Sequence, residues 1–228
     1  LRSCLGKDID DFLYISTHAP FVSKEIKSLA PKSKVLEAGC GLGHWVFWIS
    51  EQGYKTIGID ISKKAIILAK KYAKKNKIDT CSFLNADVRS IPFRDNYFDY
   101  IFSFGVVEHF KNPTTLISEF HRVLKPGGKV FISVPNFYSL HTLKRPIIKM
   151  LGLWRVGYER SFTQSGLKNL VKFSNFKVCK CGLMPGEEFF GCWPSYIPII
   201  GKHLTKKLRK LSLFLEKNQK MISFWLYI

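Results

Sequence analysis

The chain has 228 residues, of which 46% are hydrophobic and 23% charged, a length and composition that suit one α/β core and exclude a disordered chain. No apolar run approaches the roughly 18 residues needed to span a bilayer as a helix, which excludes a transmembrane helix. The net charge is +19, split as +7 over residues 1–134 and +12 over residues 135–228; it favours acidic small molecules, anionic lipid surfaces or nucleic acid, and equally suits plain solubility.

The amino end, Leu1 to Lys7, lacks an apolar signal core, so no export is expected and a cytoplasmic location, with peripheral membrane contact, is the expectation. The six cysteines (4, 40, 81, 179, 181 and 192) form no disulfide framework and fit a reducing compartment. Cys179, Cys181 and Cys192, even with His203, contain no C-x-x-C pair, so no metal site is expected. Residues 8–30 predict a helix from Phe21 to Leu29. Phe12, Tyr14 and His18 before it are placed either to touch substrate or cofactor or to pack in the core.

Val35 to Ala38 read as a strand running into glycines at 39, 41 and 43, and His44 to Glu51 as a helix. Such a loop lets the backbone take positive φ and lets a ligand approach with no Cβ in the way. The helix amino end that follows faces that ligand. The third glycine comes one residue earlier than in the dinucleotide fingerprint G-x-G-x-x-G.

Tyr54 to Asp60 predict a second strand ending in a carboxylate about 20 positions past the loop, where ribose hydroxyls are bound in nucleotide folds. Asp60 can also cap the next helix with Ser62. That helix, Lys63 to Lys77, has its apolar stripe at Ile66, Ile67, Leu68, Ala69 and Tyr72. Cys81 to Val88 predict a third strand with Asp87 at its end, an acceptor suited to an exocyclic amine. Tyr97 to Phe104 predict a fourth, and Gly105 to Phe110 leave it across the crevice. A helix from Pro113 to Leu124 is stopped by Lys125-Pro126-Gly127-Gly128, and Lys129 to Val134 predict a fifth strand.

In this order VLEAGCGLG, GIDIS, ADVRSIPFRDNYFDYIFSFGVVEHF and LKPGGKVFISVPN, over roughly residues 34–136, resemble the class I S-adenosylmethionine-dependent methyltransferases, in the methyltransferase-11 group that includes quinone-biosynthesis enzymes. The resemblance implies a Rossmann-like α/β fold with helices on both faces of a seven-stranded, mostly parallel sheet of order 3-2-1-4-5-7-6. It implies one methyltransferase domain over 1–228: an N-terminal helix or lid (1–33), a cofactor-binding core (34–134) and acceptor-side elements (135–228). The implied cofactor is S-adenosyl-L-methionine, released as S-adenosyl-L-homocysteine.

The same resemblance puts Glu37, Gly39, Cys40 and Gly41 around the methionine and ribose portion and Asp60 at the ribose hydroxyls. Ile61 would meet the adenine face, Asp87 and Val88 the adenine edge, and Ser103, Phe104 and Gly105 the methionine part. His109 falls beside the methyl group, where it could deprotonate a hydroxyl acceptor or serve structurally. Gly105 stands where some related O-methyltransferases carry an acid three residues before the Glu, which argues against a metal-assisted acceptor site.

Residues 135–160, from Pro135 through His141, Lys144, Arg145 and Trp154, show little clean periodicity and are where the family inserts acceptor-recognition elements. Thr163 is the expected cap of a helix leading to strand six, Phe176 to Leu183, and Ser223 to Ile228 would be strand seven. Between them lie Phe189, Phe190, Trp193 and Tyr196, then a basic stretch with Leu204, Leu208, Leu211 and Leu215 on one stripe. It either packs on the sheet or docks, across 186–220, on an anionic membrane.

The expected activity is methyl transfer to oxygen or carbon of a small-molecule or lipid-like acceptor. RNA methylation is the alternative the charge suggests, although no Asn-Pro-Pro-Tyr-like segment or Pro-Cys nucleophile is present. A catalytically silent S-adenosylmethionine-binding partner subunit is the other alternative.

Overall fold

The computed structural model describes residues 22–154, 156–185 and 224–227. Phe12, Tyr14, His18, Cys192, His203 and the 186–220 stretch lie outside them. Among the described residues seven strands are present: β1 (Lys34–Ala38), β2 (Lys55–Asp60), β3 (Cys81–Asn85), β4 (Phe98–Phe104), β5 (Leu124–Pro135), β6 (Gly182–Pro185) and β7 (Phe224–Tyr227). The helices are α1 (His44–Glu51), α2 (Lys63–Lys75), α3 (Thr114–Val123), α4 (Leu140–Met150) and α5 (Gln164–Phe173), preceded by a helical stretch over 22–26.

The sheet order is β3-β2-β1-β4-β5-β7-β6. The β1–β2, β1–β4, β2–β3 and β4–β5 pairs are parallel, so the 3-2-1-4-5 body expected from the sequence is formed. The turn chemistry of the loops, with α1 and α2 crossing between strands, places the carboxyl ends of β1, β2 and β4 along one edge. β7 runs antiparallel to both β5 and β6.

Alternation along the central strands divides the core between two faces. Leu36, Ile101, Ile132 and Val134 pack with Leu116, Ile117 and Phe120 of α3 and Leu167 and Val171 of α5. On the other face Val35, Tyr100, Phe102 and Phe131 meet Trp45, Trp48 and Ile49 of α1 and Val22 and Ile26. Helices therefore cover both faces, which is why β4 reads as an apolar run broken only at Asp99 and Ser103.

Several details depart from the sequence reading. Strand six is confined to Gly182–Pro185, the four residues that β7 pairs with. Its expected beginning, Phe176 to Val178, is packed side-on against the core instead. On α2 the inward residues are Ile66, Ala69 and Ala73; Ile67 and Leu68 point outward, because the helix turns them about 100° per residue away from Ile66. And β5 already begins at Leu124: Phe98 pairs with Leu124 and Tyr100 with Lys129, so Lys125 to Gly128 bulge out within the strand. Asp99 sits at that bulge, accepting from Lys125 Nζ at 2.7 Å and from the Lys34 N–H at 2.8 Å.

Candidate functional site

The glycine loop joins β1 to α1 with three consecutive odd-numbered glycines at positive φ, 82° at Gly39, 50° at Gly41 and 83° at Gly43. Gly39 has no alternative residue: a Cβ there would lie 2.3 Å from Val106 Cγ2. At Gly41 a Cβ would meet nothing within 4 Å, so this position faces open space. The loop is tied to β2 by two amides, since the Gly39 and Cys40 N–H groups both donate to the Ile59 carbonyl at 2.8 and 2.9 Å. Close approach also explains a glycine within β2, because a Cβ on Gly58 would lie 2.7 Å from Val46 Cγ2 and 2.8 Å from Cys40 Sγ.

Asp60 ends β2 beside this loop. Its Oδ2 accepts from the Gly41 N–H at 2.8 Å and its Oδ1 from the Ser62 N–H at 2.8 Å. Each oxygen keeps a further lone pair for a ligand donor. Ser62 caps α2 by accepting from the Ala65 N–H, so the capping and ligand-facing roles read from the sequence coexist. Asn85 donates to the Asp60 and Ile61 carbonyls at 2.8 and 3.0 Å, an anchor the sequence reading missed. It is signalled only by a polar residue at the end of an edge strand.

Glu37, the fourth residue of β1, alternates onto the α1 side and is 3% exposed. Burial raises its carboxyl well above the usual range, a backbone hydrogen bond from Val46 opposes this, and the negative charge of Asp60 adds to it. Its Oε2 is buried with no hydrogen-bond partner. A buried acceptor in that state carries a desolvation cost that a donor on a ligand would relieve. Cys40 is buried too, and burial followed by the charges of Glu37 and Asp60 pushes its thiol up, so it is an inert packing residue rather than a nucleophile.

Ile61 stands 72% exposed beyond β2, an apolar surface free to cover a flat ring. Asp87 lies two residues past the end of β3 and is held by Arg89, whose Nε and Nη2 both donate to its carboxylate. That hydrogen bond, more than the opposing burial, keeps the Asp87 carboxyl below its ordinary range. An amine donor would therefore share Asp87 with a guanidinium. Val88 buries its side chain in the core and offers only its backbone to the crevice.

On β4, Ser103 is fully buried with no partner for its hydroxyl. Phe104 stacks on Trp45 of α1, with ring centroids 4.8 Å apart and 10° between planes. Gly105 turns the chain at φ 63°, and its N–H donates to the Ser133 carbonyl at 3.1 Å. The chain then enters a 3-10 turn, Val107–His109, which brings His109 to the surface. His109 Nδ1 lies 2.9 Å from the Tyr158 carbonyl. A carbonyl can only accept, so Nδ1 carries the proton and Nε2 of the neutral ring the lone pair.

Tyr158 belongs to the connection between α4 and α5, a contact no sequence spacing announces. That connection is secured by Arg145 of α4, 8% exposed, which donates to the Glu159 carbonyl at 2.7 Å and to Ser161 Oγ. The Arg160 N–H in turn donates to the Glu108 carbonyl. The loop, Asp60 and the 105–109 turn thus share the carboxyl edge of the sheet. Two other hollows, one lined by Tyr100, Phe131 and Val178 and one by Lys34, Lys55 and Asp79, border none of these residues.

Residues 36–132 match the Methyltransf_11 family model, described as a methyltransferase domain. A phosphoethanolamine N-methyltransferase 1 of Zea mays is 36% identical over 124 residues, covering 53% of this chain and 25% of that protein. A demethylmenaquinone methyltransferase of Oceanobacillus iheyensis is 33% identical over 99 residues, 42% of this chain and 41% of its own. The chain thus spans well under two thirds of the length of these curated relatives. Among solved structures, the PH0226 protein of Pyrococcus horikoshii OT3 aligns with a TM-score of 0.64 at 25% identity, covering 76% of this chain and 86% of that one.

Proposed function

We propose, for a chain whose residues 36–132 match the methyltransferase domain model, that it transfers a methyl group from S-adenosylmethionine to oxygen or carbon of a small-molecule or lipid-like acceptor. The acceptor class is supported by the names of two relatives, which act on phosphoethanolamine and on demethylmenaquinone. The observation that carries the reading is the buried, unpartnered Oε2 of Glu37 beside a loop held open at Gly41. It fits a ligand that brings an ammonium group into a water-poor cradle.

Glu37 would accept from that ammonium, the backbone of Gly39 and Gly41 would line the chain leading from it, and Asp60 would accept from two vicinal hydroxyls. Ile61 would cover the purine, with Asp87 and the Val88 backbone at its edge, and the Ser103 to Gly105 backbone beside the sulfur. Bound there, the cofactor supplies an electrophilic methyl group. The protein's share is alignment, because an in-line displacement depends on holding the two reacting atoms collinear and free of water. His109 Nε2 would take the proton of a hydroxyl acceptor, with the Tyr158 carbonyl holding the ring in the tautomer that leaves Nε2 basic.

In this reading the whole chain works as one unit in the cytoplasm, with residues 1–33 as an N-terminal helix or lid, 34–134 as the cofactor-binding core, 135–228 supplying the acceptor-side elements and 186–220 in peripheral contact with anionic lipid. Calorimetry with S-adenosylmethionine and S-adenosylhomocysteine, with NAD as control, tests the cofactor. Micromolar binding of both sulfur ligands and none of NAD is expected, and failure to bind either would remove the reading. A product assay over acceptor pools then separates oxygen or carbon transfer from the nitrogen transfer named for the maize relative.

A further inference from the structure

Helix α4 is inside-out. Its inward residues are Arg145 and Ile148, 8% and 5% exposed, while Leu143, Ile147 and Met150 are 67%, 56% and 80% exposed. Spacings of four and three residues put these three on one outward stripe, and Tyr138 just before the helix is 76% exposed. An apolar row on the outside of a helix whose inner face holds a buried arginine is surface that the working protein covers.

Charge indicates with what. Between Phe137 and Tyr158 the chain carries Lys144, Arg145, Lys149 and Arg155 and no carboxylate, within a protein of net charge +19. Lys149 lies over the Trp154 ring at 5.6 Å, so an ammonium and an indole sit together at the end of the stripe. Apolar side chains flanked by lysine and tryptophan match the boundary of headgroups and acyl chains.

We propose that the outward face of α4 docks this protein on an anionic lipid bilayer. The contact is set beside the candidate site, because the Arg145 that anchors α4 also holds the Glu159 carbonyl and the Ser161 hydroxyl, next to Tyr158, whose carbonyl meets His109. The inference deepens the lipid-like branch of the proposed function and rests on it for the purpose of the contact. The binding itself is independent of methyl transfer.

The test is co-sedimentation of the full chain with vesicles of phosphatidylcholine alone or mixed 4:1 with phosphatidylglycerol, beside the double variant Leu143→Gln/Ile147→Gln. Both positions are exposed, so the variant keeps the fold, which its melting curve and S-adenosylmethionine binding check. Binding to the mixed vesicles, weak binding to phosphatidylcholine and at least a tenfold loss in the variant are expected. Equal binding of variant and parent, equal binding to both vesicle types, or no binding by the parent would overturn the proposal. So would a parent dimer in sedimentation velocity that the variant dissolves, since a second copy would then cover the face. A parent that binds S-adenosylmethionine but no vesicles counts against docking alone, whereas a parent that binds the mixed vesicles but no S-adenosylmethionine counts against the methyltransferase reading alone.

Discussion

Asp60 accepts the Gly41 N–H at 2.8 Å, so the carboxylate that ends β2 holds the glycine loop that follows β1. One side chain thus both shapes the loop and faces the ligand.

Asp60→Ala removes that bond and the one from Ser62. A hydrogen bond to a charged group is worth about 1.5–3 kcal/mol, and the loop loses its tie as well as its acceptor. Affinity for S-adenosylmethionine is expected to fall at least tenfold by calorimetry. Affinity retained within about threefold would mean that Asp60 does not face the cofactor.

Gly39→Ala and Gly41→Ala separate structure from binding. At Gly39 the added methyl meets Val106 at 2.3 Å at a φ of 82°, and overpacking with left-handed strain costs about 2–5 kcal/mol. The melting temperature is expected to fall by about 5–15 °C. At Gly41 the methyl enters open space, so the fall is expected to be less than half as large while cofactor affinity drops at least tenfold. Equal loss of stability at both positions would show that the space before Gly41 is not a ligand cradle.

The raised carboxyl of Glu37 works against the fold at neutral pH. A folded-state pKa above the unfolded value contributes stability below the unfolded pKa, near 4.3, and that contribution is lost as pH rises through the folded value. Glu37→Gln is therefore expected to melt no lower than the parent at pH 8 and to lose part of the parent's decline in stability between pH 5 and pH 8. Cofactor affinity should nonetheless fall at least tenfold. A variant less stable than the parent at pH 8 with unchanged affinity would contradict the assignment.

The acid limb has the opposite sign. Glu119 is held below its ordinary range chiefly by its hydrogen bond to Arg122, and Oε2 also accepts from the Ile91 N–H at 2.8 Å. This stability is present above the unfolded value and disappears as pH falls through the folded one. Glu119→Gln is expected to flatten the loss of melting temperature between pH 5 and pH 3; an unchanged slope would place the acid sensitivity elsewhere.

His109→Ala tests the base. If Nε2 takes the acceptor's proton, turnover falls by about 100-fold or more while S-adenosylmethionine affinity stays within about threefold. Unchanged turnover on the identified acceptor would dismiss that role.

Much of the site was legible because its determinants are local. Glycines at 39, 41 and 43, an acid at the end of the next strand and Thr163 as a cap are backbone demands that a short stretch states in its own residues. Helix α4 was not legible, since Pro146 lies inside it and its apolar row faces outward, so no inward period marked it. Ile67 and Leu68 misled for a related reason: lying next to Ile66, they lengthened an apolar run without sharing its face.

The sequence by itself determined the order of the strands and of the helices other than α4, the glycine loop and the carboxylates Glu37, Asp60 and Asp87, because hydrophobic period and turn chemistry act within a few residues. Only the tertiary structure decided that Glu37 keeps a buried oxygen unpartnered, that Arg89 holds Asp87, that Tyr158 sets the tautomer of His109 and that α4 turns its apolar face outward. Each of these depends on which distant groups share a space. Burial and partnering are properties of that shared space, and neighbours along the chain do not specify it.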